Sequence, residues 1–154
     1  MRYFFFLFFI IFSGCSTKDY TQNQSKLIII KSPKIKFSDL GYIRNNNKDI
    51  KLELFIAGRA IEDITIHHLI CVKNGCMSKS NFNKEYLYFA YPSDILQNIL
   101  LGKEIYGGKN KVKKNGGFEQ RIHLVDVDIV YKVYPHTIFF KDKKNRIIFK
   151  IKDI

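Results

Sequence analysis

The feature that most constrains the fold is a short-range alternation of apolar and polar residues. In Ile50–Ile56 (IKLELFI), every second residue is apolar and the residues between them are mostly charged. Successive side chains of a β-strand point to opposite faces, so this segment is predicted to be a strand with one buried face. Antiparallel sheets commonly have one packed and one hydrated face, which favours that sheet type.

The same alternation recurs along the chain. Further strands are predicted at Lys26–Ser32, Lys34–Tyr42, Ala60–Val72, Phe118–Tyr134, His136–Lys141 and Arg146–Ile151. The buried side of the third of these is predicted to hold Ile64, Ile66, His68, Ile70 and Val72. The buried side of the fourth is predicted to hold Val125, Val127, Ile129, Tyr131 and Val133.

Two segments in the middle of the chain are predicted to be helical. Ser80–Ala90 is one short helix, and Asp94–Leu101 is another, between Pro92 and Gly102, which suit a helix start and a helix end. The apolar stripe of the second helix comprises Ile95, Leu96, Ile99 and Leu100. The sheet is expected to curl around these helices, giving an α+β fold. Lys103–Gly117 is predicted to be a mobile loop or a loose hairpin.

The N-terminal segment has the features of an export signal. Arg2 precedes an uncharged apolar run, Tyr3–Phe12, that is too short to cross a bilayer. The run ends in Phe12-Ser13-Gly14-Cys15, which resembles the bacterial lipobox, although Leu is the usual residue at the Phe12 position. This resemblance implies that residues 1–14 are a cleaved signal peptide and that Cys15 carries a diacylglycerol and an N-acyl chain such as palmitate. The alternative is an ordinary signal peptide that contains a cysteine.

The rest of the chain is predicted to form one domain. Residues 15–26 are interpreted as the lipidated cysteine and a polar tether, and residues 27–154 have the usual size of a single domain. A hydrophobic content of 46% is sufficient for a packed core. Ser16 resembles the residue that directs lipoproteins to the outer membrane, so the domain is expected to be lipid-anchored there and to face the periplasm.

Cys71 and Cys76 form an even pair once Cys15 is assigned to lipid. The intervening Val72-Lys73-Asn74-Gly75 is turn-like, and an oxidising periplasm allows a disulfide. A redox pair and half of a metal site are the alternatives, but the spacing does not match Cys-x-x-Cys, and no second cysteine pair exists. A structural disulfide is therefore predicted.

The charge is strongly positive, with 26 Lys and Arg against 14 Asp and Glu. For an envelope protein, this favours anionic lipid headgroups over nucleic acid as the partner, and no nucleic acid is expected. The candidates for membrane contact are Lys109, Lys111, Lys113 and Lys114. A solvated loop, and a composition biased toward lysine throughout, are the alternatives.

Catalysis is not expected. Adjacent residues on a strand point to opposite faces, so His67 and His68 are not expected to share a metal, and His68 is predicted to be a core residue. Asp126 and Asp128 share the hydrated face and are predicted to be solvated charges. No nucleophile elbow, phosphate-binding loop or zinc quartet occurs in the sequence. We expect no enzyme activity, no metal and no cofactor beyond the covalent lipid on Cys15.

The segment Tyr91–Gly102 (YPSDILQNILLG) resembles the outer-membrane lipoprotein acceptor family (LolA/LolB-like), in which a proline-started helix with spaced leucines ends in Leu-Gly. The strand, polar turn and strand that follow Pro135 have a similar order. The absence of tryptophan and the presence of the Cys71/Cys76 pair depart from that family. The resemblance implies a strongly curved antiparallel sheet, an incomplete barrel, with short helices covering its concave side.

Two functions follow as expectations. The first is an outer-membrane lipoprotein that accepts or carries acylated cargo, either lipoprotein or lipid, in an apolar pocket lidded by Ile95, Leu96, Ile99 and Leu100. The second is a non-catalytic structural or interaction lipoprotein of an envelope assembly, in which the same side chains close a solid core. Spacing does not separate a pocket from a core.

Overall fold

A computed structural model describes residues 20–46 and 48–154 of the chain. The signal segment 1–14, Cys15 and Ser16 lie outside the described residues. Within them, the strands are β1 (Gln22–Lys31), β2 (Lys36–Asn45), β3 (Ile50–Ile56), β4 (Arg59–Ile66), β5 (Leu69–Val72), β6 (Gly75–Ser78), β7 (Lys111–Lys114), β8 (Gly117–His123), β9 (Asp128–Tyr134), β10 (Thr137–Asp142) and β11 (Ile147–Asp153). The helices are α1 (Lys79–Tyr86) and α2 (Ile95–Leu101), and a 3-10 turn lies at Tyr106–Gly108.

All eleven strands of the described residues belong to one open antiparallel sheet, ordered β6-β5-β4-β3-β2-β1-β11-β10-β9-β8-β7. Two hairpin series, β1 to β6 and β7 to β11, are joined where β1 pairs with β11. The predicted antiparallel sheet with two short helices is therefore confirmed, whereas the LolA/LolB-like identity stays a prediction.

The sheet curls around the helices. β2 and β9 are four steps apart in the strand order, which is about 19 Å in a flat sheet. Ile43 of β2 and Val133 of β9 nevertheless line one cavity of about 270 Å³ together with the end of α2. On the other side, α1 contacts β5 and β6, and Lys79 Nζ of α1 lies 2.5 Å from Gln97 Oε1 of α2.

The core lies between the inner face of this sheet and the two helices. Fully buried apolar side chains come from most strands, from both helices and from the segments beside the helices. Asn83 of α1 fixes one of those segments, because its side-chain amide donates to the carbonyl oxygens of Tyr91 (3.1 Å) and Pro92 (2.9 Å). None of the helices in residues 20–46 and 48–154 is long and apolar enough to cross a membrane.

Both predicted helices are present. α1 lies within the predicted Ser80–Ala90 segment except for its first residue, and Ser78 caps it by accepting from the Asn81 N–H. α2 occupies the predicted segment and ends at Gly102, which has the left-handed conformation (φ 63°) that glycine adopts without steric cost.

The prediction of a single strand at Phe118–Tyr134 was wrong. The segment is a hairpin, β8 and β9, that turns at residues 124–127, and the tail of the chain therefore contains four strands. Val125, predicted to be buried, is 90% exposed at this turn, whereas Ile129 and Tyr131 are buried as predicted. Asp126 is exposed in the turn, and half-buried Asp128 begins β9.

The prediction of a single strand at Ala60–Val72 was also wrong, because β4 and β5 form a hairpin that turns at His67 and His68. His68 is exposed and is not a core residue. The apolar residues on both sides of the turn keep the predicted burial, because Ile66 pairs with Ile70 and the three residues between them preserve the alternation.

Two strand limits differ from the predictions. β1 begins at Gln22, inside the predicted 15–26 tether, and its backbone pairs with Asn45 of β2. In β3, Ile56 continues the alternation but is exposed, because the strand ends there at the Ala57-Gly58 turn. The pairing of β3 with β4 skips Ile61, so the extra residue of this β-bulge lies in β4.

Gly41 allows a close approach of three strands. A Cβ atom at Gly41 would lie 2.8 Å from the Glu53 carbonyl oxygen of β3 and 2.8 Å from the Ile28 Cδ1 atom of β1. We expect Gly41→Ala to lower the free energy of unfolding by about 1–3 kcal/mol, because the backbone must move to admit the methyl group. Urea unfolding measures this change, and Ser38→Ala, at an exposed position of the same strand, is the control. An equal effect of both variants would contradict the close-packing explanation.

Candidate functional site

A cavity of about 270 Å³ opens at one end of the sheet, beside the C-terminal end of α2. We call it the α2 cavity. Its apolar wall consists of Ile43, Leu100, Leu101, Val133, Pro135, Ile138 and Ile151. The polar groups at its mouth belong to Gln24, Lys26, Asn45, Tyr134, Thr137 and Asp153. The accessible lining of the cavity is therefore mixed, with more polar than apolar surface, whereas most small-molecule sites are predominantly apolar.

The sequence of α2 builds one side of this cavity. Ile95, Leu96 and Ile99 face the core and are buried, because they recur at helical spacing. Gly102 then stops the helix close to β9 and β10. A methyl group at this position would lie 3.3 Å from Ile138 Cδ1 and 3.2 Å from Val133 Cγ1. The last turn of α2 is thus held directly against these two strands.

Tyr131 holds the last turn of α2 in place through its hydroxyl group. Its hydroxyl lies 2.9 Å from the Lys103 carbonyl oxygen and 3.2 Å from the Asn98 carbonyl oxygen, both at the end of α2. Burial raises the pKa of Tyr131 above its ordinary value, so the hydroxyl stays a proton donor to these carbonyl groups. The cavity wall is therefore pre-formed and does not depend on a flexible loop.

An ion pair lies at the mouth of the cavity. Lys26 Nζ of β1 contacts Asp153 Oδ1 of β11, and His136 Nδ1 lies 3.2 Å from Asp153 Oδ2. The hydrogen bond from Lys26, assisted by His136, holds the pKa of Asp153 below its ordinary value. This pair joins β1 and β11 at the point where the two hairpin series meet within the open sheet.

We expect Lys26→Met to raise the pKa of Asp153 toward its ordinary value. A carboxylate with a lowered pKa contributes stability above its unfolded-state pKa of about 3.9, and that contribution is lost as the pH falls through the folded-state value. The variant should therefore lose less stability on acidification through this range. Carbon-13 NMR of the Asp153 carboxyl group measures the pKa, and Lys150→Met, at an exposed position of β11, is the control. An unchanged Asp153 titration would show that Lys26 does not set it.

The four residues predicted to cover a pocket are all buried between α2 and the inner face of the sheet. Of Ile95, Leu96, Ile99 and Leu100, only Leu100 also lines the α2 cavity. The other three pack in the single cluster of buried residues that forms the core. α2 thus contributes Ile95, Leu96 and Ile99 to the packed core, and its last turn contributes Leu100 to the wall of the α2 cavity.

The predicted disulfide is confirmed. Cys71 and Cys76 are directly opposite in the β5–β6 hairpin and are bonded, with their Cα atoms 3.9 Å apart. The bridge closes a short loop at the sheet edge. On the chain-entropy model, so small a loop contributes only about 2 kcal/mol.

The four lysines predicted to contact a membrane are exposed, but they do not share one face. Lys111 and Lys113 alternate with Lys114 along β7, and Lys109 precedes the strand. Lys111 is engaged within the protein, since its Nζ lies 2.7 Å from Glu104 Oε2 and 4.7 Å from the centre of the Phe118 ring. A role of these lysines in membrane contact stays a prediction.

The rings of the two histidines in the β4–β5 turn contact each other at a tilt of 53°, with ring centres 3.6 Å apart. They do not point to opposite faces as predicted, because they lie in a turn and not along a strand. His67 Nδ1 is 3.0 Å from the Lys48 carbonyl oxygen and 3.3 Å from Asp49 Oδ1. In the described part of the chain, no group of three or more His, Cys, Asp or Glu side chains is arranged to hold a metal ion.

Sequence reasoning missed two buried polar side chains that hold neighbouring segments of the chain. Asp142, in a predicted polar turn, is fully buried and accepts from the Tyr91 hydroxyl at 2.7 Å. Gln120 is buried and holds the segment after α2 through the backbone of Ile105 and Lys109. The alternation around Gln120 places it on the inner face, and that position was the available signal.

Comparisons with known proteins add no relative. Neither the scan of protein-family models nor the searches of curated proteins and of solved structures found a match to this chain.

Proposed function

We propose that this protein is a membrane-anchored lipoprotein of the cell envelope that accepts or carries acylated cargo at the outer membrane. The proposal combines the lipobox-like segment ending in Cys15 with the resemblance of Tyr91–Gly102 to the lipoprotein acceptor family. The observation that carries it is the α2 cavity, which has an apolar wall beside α2 and a mainly polar accessible lining, at the end of the sheet where β1 begins. The proposal involves no catalysis.

The chemistry of the cavity suits one acyl chain. Each methylene group removed from water contributes about 0.8 kcal/mol, so a few methylenes packed between Leu100, Val133 and Ile138 give useful affinity. The volume of about 270 Å³ lies just below the range of ordinary ligand sites, which start near 300 Å³. A single chain is therefore favoured over a whole two-chain lipid.

The position of the cavity suits a protein anchored through Cys15. Gln24 and Lys26 of β1 line its mouth, so the chain that leads back to Cys15 leaves from the same end of the sheet. The residues between Cys15 and Gln22 reach at most about 25 Å when fully extended. A lipid on Cys15 would therefore keep the mouth within about that distance of the bilayer surface.

Titration of the purified full-length protein with dodecanoic acid tests the proposal. We expect saturable binding, measured as a rise in the melting temperature, and a loss of at least tenfold in affinity for Ile138→Trp, because the indole ring fills the cavity. The chain has no tryptophan, so the new residue also reports ligand contact by fluorescence.

The matched control is Ile148→Trp. Ile148 is half-buried on the opposite face of β11 from the cavity residue Ile151, and its replacement should leave binding within about twofold. Absence of saturable binding to the unmodified protein, or an equal loss in both variants, would contradict the carrier function.

A non-catalytic structural or interaction lipoprotein is the second candidate. A patch on the outer face favours it: Leu40 and Tyr42 are exposed and line one surface depression with Phe55, which packs edge-on against Tyr42 with ring centres 5.6 Å apart. Exposed apolar clusters of this kind often mark interaction sites. Under this function, Leu40→Asp should reduce protein cross-linking in intact cells, while dodecanoic acid binding stays unchanged.

A further inference from the structure

A second cavity, of about 390 Å³, lies on the other side of Leu101 from the α2 cavity. We call it the basic cavity. It is lined by Asn46, Lys48, Ile50, Ile66, His67, His68, Lys79, Gln97, Leu101 and Lys103. Three separate parts of the chain meet here: the β2–β3 turn, the β4–β5 turn, and the two helices with the residue pair that follows α2.

The charges around this cavity are nearly all positive. Its lining, among the described residues, contains three lysines and two histidines and no carboxylate. One acid lies beside the lining: Asp49 Oδ1 is 3.3 Å from His67 Nδ1, the nitrogen that also contacts the Lys48 carbonyl oxygen. Three ammonium groups around one concave surface repel one another, and an anion between them relieves that repulsion.

The polar groups are held in place by bonds within the protein. Asn46 Oδ1 accepts from the backbone N–H groups of Lys48 (2.8 Å) and Asp49 (2.7 Å), which shapes the β2–β3 turn. His67 Nδ1 faces two oxygen acceptors, so that nitrogen carries a proton and orients the ring. Gln97 Oε1 accepts from Lys79 Nζ at 2.5 Å, which leaves the N–H donors of the Gln97 amide available to a ligand.

We propose that the basic cavity binds a phosphate group that is carried by an organic molecule. The ammonium groups of Lys48, Lys79 and Lys103 match the charge of a phosphate, and bonds of this kind between ionised groups are about twice as strong as neutral ones. The apolar side chains of Ile50, Ile66 and Leu101 give the organic part a surface to contact. A phospholipid headgroup and a soluble phosphate ester share this chemistry. The site needs neither the α2 cavity nor an acyl chain, so it is independent of the carrier function.

The four histidines of the chain allow a direct test. His67 and His68 line the basic cavity, whereas His123 pairs with Asp128 at 2.8 Å and His136 pairs with Asp153, both away from it. In proton NMR of the full-length protein in neutral detergent, glycerol 1-phosphate should shift the ring signals of His67 and His68 saturably. The signals of His123 and His136 should stay within the linewidth.

Two double variants, each of which removes two positive charges, distinguish binding in the basic cavity from non-specific electrostatic attraction to the protein. Lys48→Gln with Lys103→Gln should weaken binding at least tenfold, while Lys113→Gln with Lys114→Gln, at the exposed β7–β8 hairpin, should change it by less than twofold. Equal weakening by both pairs, or parallel shifts of all four histidines, would overturn the proposal.

The source of the phosphate is distinguished by adding phosphatidylglycerol to the neutral micelles. Selective shifts of His67 and His68 with the lipid but not with glycerol 1-phosphate would assign a membrane headgroup, and shifts with both would assign a site for phosphate esters in general. Absence of selective shifts with either probe would overturn the proposal, whether or not dodecanoic acid binds to the α2 cavity.

Discussion

Replacing Asp142 with alanine is expected to lower the free energy of unfolding by about 3–5 kcal/mol, among the largest effects of any single change in this chain. The carboxylate is fully buried where β10 ends. Its Oδ2 accepts from the Tyr91 hydroxyl and from Asn145 Nδ2, both at 2.7 Å, and its Oδ1 accepts from the backbone N–H groups of Asp128 (3.2 Å) and Lys144 (3.0 Å).

The magnitude follows from what the substitution leaves behind. Hydrogen bonds to a charged group contribute about 1.5–3 kcal/mol each, and a buried donor without an acceptor carries a desolvation penalty of about 1–3 kcal/mol. The Tyr91 hydroxyl is one of the buried donors that would lose this acceptor, and burial and the bond to Asp142 together raise its pKa far above the ordinary value. The alanine variant therefore removes one acceptor that serves the turn after β10 and the segment before α2 together.

Two further variants test this explanation by urea unfolding. Asp142→Asn keeps one side-chain oxygen and should cost less than the alanine variant. Asp126→Ala changes an exposed aspartate nearby and should stay within about 0.5 kcal/mol of the unmodified protein. A loss below about 1 kcal/mol for Asp142→Ala would show that water replaces the carboxylate.

The parts of the fold that depend on local patterns were predictable. α2 was placed correctly because its apolar spacing, Pro92 and Gly102 all act within one short segment. The inner residues of β3 and β9 were placed correctly because alternation is a property of the strand itself. The disulfide followed from a short turn between two cysteines.

The turn at residues 124–127 could not be predicted, because distant residues hold it. Lys144 Nζ donates to the carbonyl oxygens of Leu124 (3.0 Å) and Val125 (2.7 Å), and Asn145 Nδ2 donates to that of Asp126 (3.0 Å). The local sequence contains no glycine or proline and continues the alternation. The β4–β5 turn at His67 and His68 likewise contains no glycine or proline.

Sequence patterns also could not predict the α2 cavity or the basic cavity. Each is lined by residues from segments far apart in the chain, and its size depends on how tightly the sheet curls around α2. Periodicity identified Leu100 as an inward-facing residue but did not distinguish a cavity wall from a packed core. The count of charges likewise directed attention to the lysines between residues 109 and 114. The lysines that line the basic cavity are instead Lys48 in the β2–β3 turn, Lys79 at the start of α1 and Lys103 just after α2.

Cys15→Ala is expected to abolish acylation completely. Because the lipobox-like segment is the only basis for a lipid on this chain, the variant should lack the mass of a diacylglycerol and an N-acyl chain, and residues 1–14 should remain attached. Intact-protein mass spectrometry of material purified from cells measures both changes. An unmodified protein that starts at a residue other than Cys15 and carries no added lipid would contradict the lipoprotein assignment.

Ser16→Asp separates anchoring from sorting. Two or three acyl chains, at about 0.8 kcal/mol per buried methylene, hold a protein to a bilayer far more firmly than one chain does, so this variant should stay in the membrane fraction. Its acyl mass should be unchanged, because the lipobox-like residues before Cys15 are intact, but it should move from the outer to the inner membrane if Ser16 directs sorting. Ser16→Ala, which introduces no charge, should keep the original distribution. Movement of both variants would show that the hydroxyl, and not the added carboxylate, determines the membrane in which the protein resides.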